Sequence, residues 1–421
     1  MATVSLCLLT FNCAKVLQSA AEFERQTQTL LDTNETNDIR QPDVLVFGLQ
    51  EVAPILDSCF DDIEQYLKPI RQGIQSALTA HNVQQPSSRL DGDGRRSVVN
   101  YKLVQEHSAG SLALLIAINT SSVRLNQVSF ASSRCGYLLS SLKGAVGMRL
   151  TLSDNHGTSP DSEWTLVTAH LAANEGPAML SKRNADFQTI ATSLDFDDGY
   201  ALYKPGAHTF FMGDLNYRAT CGRSPSTSAN VSSQTLVPHD PDVSDELLQV
   251  LHNGDVYKQF EEARITFAPT YKFNLLRQQA TSGEAGAQLS TVRSYNYKRV
   301  PSWCDRILYR TYHSEESFVS YLSSDLIHSS DHIPVVLRLT VPTVRNLVTI
   351  ALEGETAETS LLSTESLTAL YPLNPYRGVW TSVGCLSDGL IGWALYLGTT
   401  NRGRLWFGLL LTIILAWIAL F

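Results

Sequence analysis

Residues Lys298 to Tyr309 read KRVPSWCDRILY, and no other stretch restricts the fold as tightly. The apolar run Ile307–Tyr309 has the length of a buried strand, yet it opens on Asp305 and Arg306. An unpaired buried charge is very costly, so both residues need partners, and a polar site at the mouth of a sheet supplies them. Further on, Ser330, Asp331 and His332 precede another apolar run, Val335–Leu337. Two strands that each carry an Asp at one end, one with a His beside it, point to a shared acid–base site.

Short apolar runs alternate with helical patterns from residue 3 to about 341. The runs Val4–Phe11, Val44–Leu49, Ser111–Ile118, Trp164–His170, Thr209–Met212, Asp305–Tyr309 and Pro334–Val341 have strand length. Ala21–Leu31, Phe60–Ala80, Leu180–Leu194 and Ser244–Phe260 carry helical periodicity. This mixture predicts a layered α/β domain. Polar stretches at 84–96, 222–234 and 278–291 read as surface loops. The net charge of −9 is the wrong sign for a general nucleic-acid binder, although a local basic pocket can still take an anionic substrate. The seven cysteines are scattered and show no zinc spacing, so reduced thiols are expected.

The C-terminal part has a different character. Residues 346–404 read as a linker, within which Gly389–Gly398 (GLIGWALYLG) is apolar but too short to span a bilayer and either lies on the membrane surface or packs on the domain. Leu405–Phe421 (LWFGLLLTIILAWIALF) has no charge and no Pro. At about 1.5 Å per residue it reaches roughly 25 Å, which suits a thin bilayer. Arg402 and Arg404 precede it and favour a cytoplasmic position for that side. The expectation is a C-terminal transmembrane tail anchor.

Oxygen- and imidazole-bearing residues collect at the ends of the strand-like runs. Asn12 closes the first run and Glu51 follows the second. His170 and Asn174 follow the fourth, and Asp214 and Asn216 follow Phe-Phe-Met. Asp331 and His332 precede the last run. Ligands of α/β sheets sit at such ends. Any one of these residues alone reads equally well as a cap, an Asx turn or a structural His. Carboxylate and amide oxygens without thiolates suit a hard cation such as Mg²⁺, and hence metal-assisted phosphoryl chemistry.

The motifs TFN, FGLQEV, HLAANE, GDLNYR, PTYKF, RVPSWCDRIL and SDHIPV, in this order, resemble the inositol polyphosphate 5-phosphatases. These belong to the DNase I-like endonuclease/exonuclease/phosphatase superfamily. The C-terminal run, TFNCAK and ANEG are most similar to the fungal, ER-anchored branch that acts on phosphatidylinositol 4,5-bisphosphate. The resemblance implies a four-layered α/β sandwich, two packed β-sheets flanked by helices, as a catalytic domain over residues 1–345. The linker (346–404) and the anchor (405–421) would follow it. It also implies roles residue by residue. Glu51 would bind Mg²⁺, with Asn12 and Asp331 nearby. Asp214 would orient and deprotonate the attacking water, and Asn216 would hold that water or a phosphate oxygen. His170 and His332 would stabilise phosphoryl charge, with Asp305 orienting His332. Tyr271, Lys272 and Arg299 match the family's ligands for a second phosphate; Lys298 and Asn174 complete the expected substrate-binding set. The family's Lys two positions before Arg299 is Tyr297 here, and Lys298 stands beside it. Lys143, Arg183 and Arg218 either add positive potential or are structural.

The expected activity is Mg²⁺-dependent hydrolysis of the 5-phosphate of phosphatidylinositol 4,5-bisphosphate by a monomer. It would take place on the cytoplasmic side of the endoplasmic reticulum membrane, without a nucleic-acid partner. The alternatives are a DNA-repair nuclease, a sphingomyelinase-like phosphodiesterase on the same frame, and a non-catalytic lipid-binding scaffold.

Overall fold

Apolar strands closing on polar residues assemble here into two sheets that bury a common face. The computed structural model describes residues 3–32, 41–84, 99–155, 161–221, 243–275, 293–296, 298–311, 317–343 and 368–420. The first six-stranded sheet comprises β1 (Thr3–Asn12), β2 (Val44–Gln50), β3 (Tyr101–Ala109), β4 (Leu112–Asn119), β13 (Ser317–Ser323) and β14 (Val335–Pro342), in the order β13-β14-β1-β2-β4-β3. The second comprises β5 (Val123–Arg134), β6 (Gly144–Asp154), β7 (Ser162–His170), β8 (Ala207–Asp214), β11 (Glu261–Glu262) and β12 (Asp305–Arg310), in the order β11-β12-β8-β7-β6-β5. A short ribbon pairs β9 (Ala219–Cys221) with β10 (Val243–Asp245). β1 runs parallel to β2, and β7 parallel to β8. The remaining pairs are antiparallel.

Period-two alternation explains the layers. Leu6, Leu8, Val46, Ile116, Met148, Leu166, Met212 and Leu337 point into the seam between the sheets. Their sequence neighbours Cys7, Leu9, Leu45, Phe47 and Leu115 meet helices α1 (Ala20–Leu31) and α3 (Glu64–Gln84) on the outer face of the first sheet. Helix α2 (Ile55–Cys59) joins β2 to α3. On the second sheet, Val167, Phe211 and Leu308 meet α4 (Pro177–Ser193) and α5 (Glu246–Asn253). Both faces of the central strands are therefore buried, and these strands read as continuous apolar runs.

Several sequence readings are corrected. The helix expected over Ser244–Phe260 stops at Asn253, because Gly254 takes a left-handed C-cap at φ 70°. The helix expected from Phe60 begins at Glu64. Strands β3, β5, β6 and β13 were not anticipated. Residues 377–399, inside the expected linker, form helix α6 (Arg377–Thr399), which is docked on the domain. Helix α7 (Asn401–Leu420) follows. Its large apolar side chains from Leu405 to Trp417 are exposed. Among the described residues no helix is long and apolar enough to cross a membrane. The expected loops at 222–234 and 278–291, and residues 346–367 of the expected linker, lie outside the described residues.

Candidate active site

Strand register builds the site. In the second sheet Asp214, the last residue of β8, pairs with His170 on β7 and with Asp305 on β12. In the first, Asn12 pairs with Gln50, the residue before Glu51. The two sheets are tied together beside the site by buried Gln50. Its amide donates to Thr10 Oγ1 (3.0 Å) in its own sheet and to Thr168 Oγ1 (2.8 Å) in the other. Gly213 permits the closing geometry of β8: its φ is +147°, and a Cβ there would lie 1.9 Å from the Ala169 carbonyl oxygen.

Asp214 is the hub. Asn12 Nδ2 donates to its Oδ2 at 2.8 Å, and the Asn216 N–H donates to Oδ1 at 3.2 Å. His170 Nε2 lies 3.3 Å and His332 Nε2 3.9 Å from Oδ2. Burial pushes the Asp214 carboxyl up, but His332, His170 and Lys143 outweigh it and hold the group well below the usual carboxylate range. His332 Nδ1 meets Asp305 Oδ2 at 2.9 Å, and Thr270 Oγ1 donates to the same oxygen at 2.7 Å. Burial opposes a charged His332, yet Asp305 and Asp214 raise it to about 9. The Tyr271 ring lies against this imidazole at 4.5 Å. Ser330 fixes the approach of β14: its hydroxyl donates to the Asn12 carbonyl (2.6 Å) and accepts from the His332 N–H (3.0 Å).

On the other side, Glu51 pairs with Lys15 at 2.7 Å. Burial pushes the Glu51 carboxyl up, and His170, Lys15 and Lys143 together bring it below its ordinary value. Lys143 Nζ contacts His170 Nε2, and burial pulls the Lys143 ammonium down to about 8. Burial and then the Lys143 charge hold His170 below its ordinary value, and its buried Nδ1 has no hydrogen-bond partner among the described residues. Glu51 (φ 49°) and Asn216 (φ 59°) both sit in the left-handed region. Backbone strain of roughly 1–3 kcal/mol per such residue is therefore concentrated at the site.

These groups line a cleft of about 310 Å³, together with Lys272, Arg299 and Asp331. Lys272 reaches Asp331 at 3.0 Å, and Arg299 donates to Asn174 Oδ1 at 3.2 Å. Arg218 lies over the Tyr271 ring, 4.9 Å from its centroid. Of the residues named from sequence, Asn12, Glu51, His170, Asn174, Asp214, Asn216, Tyr271, Lys272, Arg299, Asp331 and His332 line one cleft, and Asp305 supports it through His332. Lys298 does not join them: it is exposed and absent from the cleft wall. Tyr297 lies outside the described residues. Arg183 is a structural group, bonded to Glu246 Oε2 (2.6 Å) and to the Asn174 carbonyl (2.8 Å). Sequence reasoning missed Lys15, Thr270 and the bridging role of Gln50. Each sits inside a motif already singled out, but its partner is remote in sequence.

The donor set fits a hard divalent cation. Glu51 is held ionised, and the carboxylates of Asp214 and Asp331 and the amide of Asn12 share its cleft, with no thiolate among the lining residues. Ligand-type atoms of Asp214, Asp305 and His332 also lie within 4.8 Å of one another. Asp305 is already engaged by His332 and Thr270, so that trio reads as an acid–base relay and not as a metal cage.

The family model for endonuclease/exonuclease/phosphatase family 2 matches residues 9–338. The chain belongs to this family. Among its relatives, the rat phosphatidylinositol 3,4,5-trisphosphate 5-phosphatase 1 is 33% identical over 46% of this chain and 16% of its own length. The type IV inositol polyphosphate 5-phosphatase 11 of Arabidopsis thaliana is 30% identical over 48% of this chain and 53% of its own length. The phosphatidylinositol 4,5-bisphosphate 5-phosphatase of Saccharomyces cerevisiae is 26% identical over 70% of this chain and 27% of its own length. The chain thus spans about half or less of the length of these relatives. In solved structures, the same fold occurs in the inositol polyphosphate 5-phosphatase domain of a synaptojanin, in complex with inositol (1,4)-bisphosphate and calcium (TM-score 0.56, 21% identity, 88% of this chain and 91% of that one). It also occurs in a Cimex nitrophorin ferrous NO complex (TM-score 0.52, 16% identity, 82% of this chain and 100% of that one). Fold alone therefore does not choose the chemistry, and the side chains must.

One pH dependence follows from the relay. A folded-state pKa of about 9 for His332, above its ordinary value, means that its contribution to stability is complete below about 6.5 and is lost as pH rises through about 9. The Asp305→Asn variant removes the main source of that rise, so the imidazole should titrate at lower pH, as read by NMR of the His332 ring. An unchanged titration would remove Asp305 from the relay.

Proposed function

We propose that this chain hydrolyses the 5-phosphate of phosphatidylinositol 4,5-bisphosphate, as a monomer at a cytoplasmic membrane face. One observation carries the reading. An ionised, buried Asp214 stands between two imidazoles in a cleft walled by Lys143, Arg218, Lys272 and Arg299, in a protein of net charge −9. That local reversal of sign selects a polyanionic substrate.

In the proposed reaction a water oxygen bonds to phosphorus, the ester P–O bond breaks in line, and the inositol oxygen leaves and takes up a proton from solvent. Asp214 accepts the hydrogen bond of the attacking water and finally its proton. Its low pKa makes it a weak base, which suits a loose phosphoryl-transfer transition state that asks mainly for positioning. Asn216, anchored through its N–H to Asp214, fixes the nucleophile's approach. His332, kept cationic by Asp305, offers Nε2–H to the growing charge on the phosphoryl oxygens, and His170 adds a second ring nitrogen. Glu51 and Asn12, with Asp331 nearby, would hold Mg²⁺. When bound, the ion neutralises phosphoryl charge and polarises the ester. Lys272, Arg299 and Tyr271 would receive a neighbouring phosphate, with Arg contributing a fork and Lys a point charge.

The proposal includes attachment to the endoplasmic reticulum membrane through α7. Its apolar side chains face outward on all sides, a pattern that suits lipid, and Arg402 and Arg404 would mark the cytoplasmic boundary.

The decisive measurement is inorganic phosphate release from a panel of phosphoinositides and soluble inositol phosphates, with Mg²⁺ present and after its removal by chelation. Release from 5-phosphorylated substrates that disappears on chelation and returns on adding Mg²⁺ is the expected result. Cleavage of abasic duplex DNA, or no hydrolysis of any phosphoinositide, would refute the reading.

A further inference from the structure

Helix α6 is amphipathic with its faces reversed. Its docked face is small and polar: Gly384, Ser387, Asp388 and Gly392 are buried. Asp388 contacts Arg134 and accepts from the Ser141 N–H at 2.8 Å, and Ser387 Oγ donates to the Leu138 carbonyl at 2.7 Å. A Cβ at Gly384 would lie 2.4 Å from the Leu139 carbonyl oxygen, so the helix sits directly on that backbone. The outward face is apolar. Tyr376, just before the helix, and Val379, Val383, Leu386 and Leu390 recur at intervals of three and four residues, and Leu386 and Leu390 are 66% and 63% exposed. A folded domain normally buries such a stripe, and an exposed one marks a binding surface.

The seat of α6 is equally informative. It rests on two segments, and each leads into the cleft. Phe60, which meets Trp393 edge-on at 5.8 Å, caps the end of α2, nine residues after Glu51. The segment at 134–141 runs directly to Lys143 and carries exposed Tyr137 and Leu138 beside the helix.

We propose that α6 lies along the bilayer surface with this stripe in the interfacial region. Its polar seat would then turn the cleft toward the membrane that holds the chain, so that the enzyme works on lipid in its own bilayer. Three observations favour lipid over a protein groove. The stripe carries no charge. It leads directly into α7, which is apolar all round, and a groove covers only one face whereas lipid covers every face. Exposed Arg402 and Arg404 stand at the junction, where anionic headgroups would meet them. The activity part of this inference rests on the phosphoinositide reading above; the placement of α6 does not.

The test uses the full-length chain reconstituted in phosphatidylcholine vesicles. A dye on Leu390→Cys, with Cys385→Ser to remove the native thiol exposed among the described residues, and with Cys221→Ser as well, should be quenched by lipids brominated near the headgroup and protected from aqueous iodide. Quenching by iodide would overturn the placement, as would a dye shielded from both quenchers, which would mean that protein covers the stripe. In the activity arm, phosphoinositide in the enzyme's own vesicles should be hydrolysed roughly tenfold or more faster than the same lipid in separate vesicles. The pair Leu386→Glu and Leu390→Glu should erase that advantage while leaving hydrolysis of a soluble inositol phosphate unchanged. Equal rates on the two vesicle populations, or an advantage that survives the double substitution, would overturn same-membrane action. Lipid quenching without hydrolysis of any substrate would instead sink the enzymatic reading and leave the placement standing.

Discussion

The Asp214→Asn variant should fold normally and release phosphate about 10³–10⁴-fold more slowly, the upper range for a positioned acid–base group. The substitution keeps the shape of the side chain. It removes the negative charge that His170 and His332 share, and it replaces one acceptor oxygen with a donor. Asn12 Nδ2 would then face an amide that cannot accept on both sides, and the water would lose the group that orients it. Single-turnover phosphate release, compared with a substrate-binding measurement, separates this from weakened binding. Turnover within tenfold of wild type would exclude Asp214 from the reaction.

The second large effect concerns stability. Arg306 is fully buried: its Nη1 donates to both Asp245 oxygens at 2.9 and 3.0 Å, and its Nε and Nη2 fork onto Glu262, with Nε donating to Oε1 at 2.7 Å. Tyr321 OH donates to the same Glu262 oxygen at 3.0 Å. The Arg306→Met variant leaves two carboxylates facing each other without a cation, and it should cost about 3–5 kcal/mol. Chemical denaturation of purified protein reads this directly. Replacing the acids as well, Arg306→Met with Asp245→Leu and Glu262→Leu, should recover much of the loss, because the cost comes mainly from stranded charge. A single variant as stable as wild type would show that water reaches the cluster.

The pairing of Arg306 also shows how far the sequence was legible. Two adjacent charges at the start of an apolar run demanded partners, and both have them, on opposite faces of β12: Asp305 on His332 and Thr270 behind the cleft, and Arg306 on Asp245 and Glu262. The demand could be read, but the identity of Arg306's partners could not, because Asp245 and Glu262 lie in segments with no motif of their own. The same logic separates the strands that were anticipated from those that were not. β1, β2, β8 and β12 are buried on both faces and read as apolar runs. β3 and β5 lie at sheet edges, and polar residues such as Gln105, His107, Asn126 and Gln127 interrupt them. β6 is central, but its glycines and Arg149 obscured it; Arg149 is buried only because Asp198 and the carbonyls of Ala201 and Leu202 receive it. Asn12, Glu51, His170, Asp214 and His332 were readable because each stands beside the end of an apolar run, whereas Tyr271, Lys272 and Arg299 were implied only by the family resemblance. Lys298 is exposed and outside the cleft wall, and adjacency to Arg299 along the chain says nothing about direction. Whether the apolar segment around Gly389–Gly398 lies on the membrane surface or packs on the domain could not be read from sequence, because the stripe of α6 faces outward and its periodicity carries no sign of docking.

Gln50 joins Thr10 in one sheet to Thr168 in the other, and the reacting groups are divided along the same line. Asn12, Glu51 and His332 belong to one half of the sandwich, and His170, Asp214 and Asp305 to the other. Neither half holds a competent set. The alignment of the two halves is therefore itself part of the site: a slip along the seam would part Asn12, Glu51 and His332 from Asp214 while every strand remained intact.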